Sequence, residues 1–355
     1  MIMPELRAIN PVKTALDRTI KLLFEPFDAW LWVKLIIITF FTGGGSQFFN
    51  PLSYSRYTSG NSEPLTSESI NNFITYLTSN PLIVALIVAV IILVILISLF
   101  FSYLRGVFSF VLVDAITSGH VQIRKSFADN MHRGFKVFLF NILISIISLA
   151  VLVLLGGAAL LSVLLLINSS QQAGASGILP MIAAFGIIII TVILLLVFSL
   201  ITGLVVEFFY DFALPLMLFK NMELKESVRH VFGLVKAEPV EFIVYLILRW
   251  TLQTVAGLLM LIISLLILAI SFAIGIFIAF LAIAAANVSI WLIILFVPVF
   301  LIGLILLFAI LMLISLPINI YFRYYSLDFL RSFDASYVQY TGRFAPSEPS
   351  EGRTA

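Results

Sequence analysis

Three polar side chains stand where an apolar segment should have none. Lys34, Asn141 and Arg249 each fall about 7–10 residues into a hydrophobic run, roughly 10–15 Å along a helix. A charge at the centre of a bilayer costs at least about 2.5–3.5 kcal/mol, so each needs a reason. Glu207 and Asp211, at the end of another apolar run, are carboxylates that could pair with them, and Asp114 is a third. Together these residues could form a polar layer lining a cytoplasm-facing cavity. The simpler reading, preferred on sequence alone, has Lys34 and Arg249 reaching back to headgroups along their own apolar stems. Asn141 then makes an interhelical hydrogen bond worth about 0.6 kcal/mol.

A second set of polar residues marks the entrances to the apolar runs. "LLFEPFDAWLW" (22–32) and "LVKAEPVEFIV" (234–244) both place a proline between carboxylates: Glu25, Pro26 and Asp28, then Glu238, Pro239 and Glu241. Proline ends one helix and suits the first turn of the next, where its missing N–H costs nothing. Carboxylates at that point face the positive end of the new helix. These residues read as elbows between a surface helix and a span. At the corresponding place in the middle of the chain, Arg133-Gly134-Phe135-Lys136 puts a glycine at the elbow and no carboxylate.

Catalytic patterns are missing. There is no HExxH, P-loop or GxGxxG. The chain has no cysteine, which excludes thiolate catalysis, disulfides and Cys-ligated zinc. His120, His132 and His230 lack the carboxylate spacing of a metal site and read as solvated. No cofactor, metal or catalytic residue is expected, and an enzyme ranks last among the function classes.

The elements that must hold these residues are membrane spans. Of 355 residues, 62% are hydrophobic and 11% charged, against about 25% charged in a soluble domain. Crossing a bilayer takes roughly 20 apolar residues, and the pattern places six spans at about 27–45, 81–104, 135–167, 180–206, 240–286 and 290–322. Residues 240–286 are too long for one simple crossing. They could be a span with an outer extension, a span with a re-entrant piece, or two spans.

The Lys and Arg residues fall in four groups: up to Lys34, from Arg105 to Lys136, from Lys220 to Arg249, and from Arg323 onward, with Arg56 apart. The positive-inside rule then puts both termini in the cytoplasm of a multi-pass cell-membrane protein. The sequons at Asn168 and Asn287 fall on the expected outside.

The chain also reads as a repeat. Apolar residues with helical spacing precede three of the spans: Val12, Leu16, Ile20 and Leu23, then Ile123, Phe127 and Met131, then Leu224, Val228, Val231 and Val235. Such amphipathic helices suit the cytoplasmic interface. The expected fold class is therefore all-α, a polytopic transmembrane bundle of about six spans. It forms three parallel two-span units, about 10–105, 119–206 and 221–322. A fourth interfacial helix at about 325–338 closes a single domain, 1–341, and residues 342–355 read as a disordered tail.

"LLFEPFDAWLWVKLIIITFFTGGG" and "FALPLMLFKNMELKESVRHVFGLVKAEPVEFIVYLIL" resemble an uncharacterised family of archaeal polytopic membrane proteins. The second stretch more distantly resembles the membrane domain fused to some bacterial glycerophosphodiester phosphodiesterases. The resemblance implies a membrane-embedded helical fold and no activity. His132-Arg133-Gly134 matches the opening of those enzymes' catalytic motif by accident, because it ends a surface helix rather than sitting on a soluble barrel. The expected function is non-catalytic: binding lipid, or organising partners at the cytoplasmic leaflet. The alternative is a transporter or permease for a small solute or lipid. Expected partners are membrane lipids and other membrane proteins, with no nucleic acid.

Overall fold

A computed structural model of the chain describes residues 7–44, 75, 79–172, 178–286 and 290–344. The described residues are helical throughout, joined by short turns. Five helices are long and apolar enough to cross a membrane, and Ala29–Gly43 is a shorter apolar helix. The chain is a multi-pass integral membrane protein.

Helix α1 (Asn10–Leu23) begins with Pro11 in its first turn. After the turn at residues 24–28, the Asp28 carboxylate accepts from the Trp30 N–H at 2.8 Å and caps α2 (Ala29–Thr39). Pro26 lies in that turn rather than in the first turn of α2, so the cap and not the proline starts the second helix. The Trp32 indole N–H donates back to the Leu23 carbonyl at 2.8 Å and fixes the angle. Beyond α2 the helix widens over Phe40–Gly44, where Gly43 adopts a φ of 100° that only glycine takes freely.

Helix α3 (Pro81–Ser118) stops at Gly119, left-handed at φ 70°. Helix α4 (Ile123–Gln172) follows. It runs straight through Arg133-Gly134-Phe135-Lys136, so the glycine elbow expected there does not exist. No proline interrupts the hydrogen-bond ladder, and Gly134 serves packing instead. Its backbone presses on α3: an added Cβ would lie 2.8 Å from the Val107 Cα, and one on Gly106 would lie 2.6 Å from the Gly134 carbonyl oxygen. Close backbone approach of this kind is how helices pack tightly inside a membrane.

Helix α5 (Ile178–Phe208) passes through a widened turn at Phe209–Ala213 into the short α6 (Leu214–Phe219). Helix α7 (Leu224–Ala237) meets α8 (Pro239–Ala286) at Glu238, with Pro239 as first residue and Glu241 in the first turn. α8 is one uninterrupted helix of 48 residues. Of the readings open for 240–286, this is the continuous one.

Helix α9 (Ile290–Arg331) carries Pro298 and Pro317 inside it. It extends nine residues past the expected end of the last span, because Tyr325, Leu327, Phe329 and Leu330 are all buried in the core. The first half of the separate surface helix expected at 325–338 is thus the end of α9, and the second half is turns. The chain stays ordered past residue 342, into a short 3-10 turn, Gly342–Phe344, with Phe344 6.0 Å from Tyr324. Residues 345–355, most of the outer loop 46–80 and the Asn287 sequon lie outside the described residues.

Packing is concentrated at the end that carries α1, α6, α7 and the C-terminal segment, here called the base. Phe110, Phe212, Tyr245, Tyr324, Tyr325 and Phe329 are fully buried there. Tyr245 stacks on Phe329 at 4.4 Å and on Tyr325 at 5.2 Å. The opposite halves of the spans, such as Leu86–Leu96 of α3 and Leu152–Leu165 of α4, expose large apolar side chains, as surfaces meant for acyl chains do. α1 lies against α9 and buries Ala15, Thr19 and Leu22, so Leu16 and Ile20, expected on its apolar face with Val12 and Leu23, remain exposed.

Candidate functional site

The polar layer begins with a proline. Pro215 has no N–H to give, and the Leu214 N–H reaches five residues back to the Phe209 carbonyl instead of four. The Tyr210 carbonyl is left without its helical donor. Arg323 from α9 supplies one, with Nη1 2.9 Å from the Tyr210 oxygen. Widened turns of this type recur at functional sites because they free a backbone group and re-aim the side chains around it.

Asp211, in the same turn, becomes the hub. Its carboxylate pairs with Nη1 of Arg249 and lies 3.6 Å from Nη1 of Arg323. The buried Tyr245 hydroxyl donates to it at 3.2 Å. Glu207, one helical turn earlier on α5, holds Oε1 2.6 Å from Nε of Arg249, an ionic contact rather than an aligned hydrogen bond. Asn141 of α4 donates to the Tyr210 hydroxyl at 2.8 Å. Arg105 of α3 sets its guanidinium 5.1 Å from the Tyr210 ring centre, close enough for cation–π attraction.

These charges stand at the floor of a cavity of about 750 Å³, between α2, α3, α5, α8 and α9. Thr42 and Gly43, Gly203, Met260 and Ser264 line it away from the base. Below the floor the aromatic core is closed. On that side the buried rings of Phe212, Tyr245 and Phe329 pack against one another. Three guanidiniums against two carboxylates leave the lining with one net positive charge. Arg249 is 8% exposed and does not snorkel to the surface.

The sequence-predicted residues divide into those gathered and those not. Arg249, Glu207 and Asp211 share the cavity, and Asn141 joins through Tyr210. Lys34 does not, since its ammonium lies 3.5 Å from the Val121 carbonyl, in the turn between α3 and α4, and 5.8 Å from the Trp30 ring. Asp114 accepts from Ser126 at 2.5 Å, also outside the cluster. Glu25 is exposed, and Glu238 pairs with Arg7 at 3.0 Å.

His120 leans on the Ser118 carbonyl at 3.2 Å and His230 on the Tyr337 hydroxyl at 2.9 Å. Among the described residues no three His, Asp or Glu side chains gather as metal ligands do. Arg133 bonds Asn130 at 2.9 Å and Asn221, so His132-Arg133-Gly134 is helix surface and helix contact.

Arg105 and Arg323 were missed as site residues because each looked like the first cation beyond a span. The signal was present: apolar residues continue past Arg105 to Gly119, and past Arg323 to Leu330.

A family described as a family of unknown function (DUF7544) matches residues 6–339. The chain belongs to this family. The match brings neither an archaeal origin nor a tie to the phosphodiesterase membrane domains. No curated protein and no solved structure matches the chain.

Proposed function

We propose that this family member is a non-catalytic membrane protein that binds lipid of the cytoplasmic leaflet, with its headgroup on the polar floor and its chains along the spans. The supporting observation is the cavity itself: net cationic at its floor, closed toward the base, and continuous with exposed apolar helix faces. By the positive-inside rule the base, with its Lys and Arg residues, is cytoplasmic and both termini lie there. A lipid of that leaflet points its chains away from the base, as the cavity requires. In this reading α2 is the first of six spans, the spans form three parallel two-span units, and α1 and α7 lie at the interface.

Extraction of the purified protein, followed by mass spectrometry, tests this. A near-stoichiometric anionic lipid that survives extensive detergent washing is expected. A monodisperse, folded protein free of lipid would overturn the reading. A permease is the alternative, and the observation on its side is Pro317, beside the cavity-lining Ser315 and Asn319, where the missing N–H permits α9 to bend.

A further inference from the structure

We infer that Arg105 is the anion receptor of the cavity and that its ligand is a phosphodiester carrying one negative charge. The inference rests on the lipid-binding reading and names the chemistry of the headgroup. Arg249 and Arg323 are already committed. The first faces Glu207 and Asp211, and the second faces Asp211 and the Tyr210 carbonyl. Among the described residues no carboxylate lies within ion-pair distance of Arg105. It is nonetheless exposed on the cavity wall, about 20 Å along α3 from the base.

The side chain is also held in place. One face of the guanidinium lies toward the Tyr210 ring. On another side the Gly43 backbone comes so near that an added Cβ would be 3.3 Å from Cζ. A guanidinium presented in this way offers a planar fork of donors to a phosphate. Asn319, also on the wall, has no hydrogen-bond partner among the described residues, and its amide can donate beside the fork.

Charge selects among anions. The lining carries a single net positive charge, so a phosphodiester brings the cavity to neutrality, whereas a doubly charged phosphomonoester overshoots it. In a poorly hydrated site that difference is expensive.

The test uses the full chain in neutral detergent micelles, titrated with dioctanoyl phosphatidylglycerol and followed by native mass spectrometry. One bound lipid per chain is expected. Arg105→Gln should weaken binding at least tenfold, Arg105→Lys less, and Lys13→Gln on exposed α1 not at all. Thermal unfolding checks that each variant is folded, and the doubly charged dioctanoyl phosphatidate should bind more weakly. Unchanged affinity in a folded Arg105→Gln would overturn the assignment while leaving lipid binding intact. Lack of binding by the unmodified chain would sink the lipid reading itself. Dimethyl phosphate binding as tightly as the lipid would keep Arg105 as receptor and overturn the lipid as the ligand's source.

Discussion

Asp211 answers two arginines at once, and that makes it the most exposed point of failure among the charged residues. Removing one partner of a buried ion pair leaves a charge with no compensation and costs about 3–5 kcal/mol. Asp211→Ala leaves Arg249 with Glu207 as its one carboxylate beside the Tyr245 hydroxyl, and leaves Arg323 with only a backbone carbonyl. We expect it to lower the midpoint of thermal unfolding in detergent more than Asn141→Ala, which removes one neutral hydrogen bond. Replacing both members, as in Asp211→Leu with Arg249→Met, should cost less than the two single changes added together. A strictly additive result would mean that the pair is not coupled.

At the same scale, the sequence exposed half of this site. Arg249 was visible as a charge inside an apolar run, and Glu207 and Asp211 as carboxylates at the end of another. Arg105 and Arg323 were not, because a cation at the end of such a run normally marks the membrane surface. Lys34 misled for the opposite reason, since it looked buried in the run yet sits within reach of a turn carbonyl at the base.

Helix termini decide what each element can present. Caps and prolines are local chemistry, so Asp28 and Pro239 stood out where α2 and α8 begin, while Pro11 at the start of α1 drew no notice. The continuity of α4 was not. Gly134 reads as a helix breaker until its neighbour across the interface is known, and that neighbour, Val107, is distant in sequence.

This yields a sharp contrast between glycines. Gly134→Val should destabilise by about 1–3 kcal/mol through overpacking, while Gly157→Ala, with nothing within 4 Å, should be neutral or slightly stabilising. Thermal unfolding of the two variants side by side decides it. Pro215→Ala tests the widened turn. Restoring an N–H there lets α5 continue in regular register, which competes for the Tyr210 and Asp211 carbonyls and withdraws the acceptor from Arg323. We expect weaker lipid retention with the helical content unchanged by circular dichroism.

Across the whole molecule, the all-α membrane class followed from composition alone, because an apolar run can span lipid only with its backbone bonds closed internally. Cross-chain packing at the base was beyond periodicity. It depends on how α9 and the C-terminal segment meet distant parts of the chain, as in Arg18 of α1 to Asp328 of α9 at 2.5 Å, Tyr340 to Asp328 at 2.7 Å and Thr341 to the Thr117 carbonyl of α3 at 3.1 Å. In the turns after α9, Ser336 hydrogen bonds hold the exposed Asp334 carboxyl below the usual carboxylate range.

Topology can be read cleanly, since the natural chain has no cysteine. Single cysteines at Lys125 and Lys225 should both react with a membrane-impermeant maleimide from the cytoplasmic side, and one at Gln172 from the outside. Labelling of positions 125 and 225 from opposite sides would refute the parallel arrangement.

The lopsided burial has a mechanical consequence. Helices of 38 to 50 residues are packed into a core at one end and expose apolar faces beyond it, so each is built as a lever. Lateral tension or thinning of a bilayer would act on the apolar halves over roughly 40 Å of arm and arrive as torque at the packed end, where the Gly106–Gly134 contact and the Asp211 hub sit.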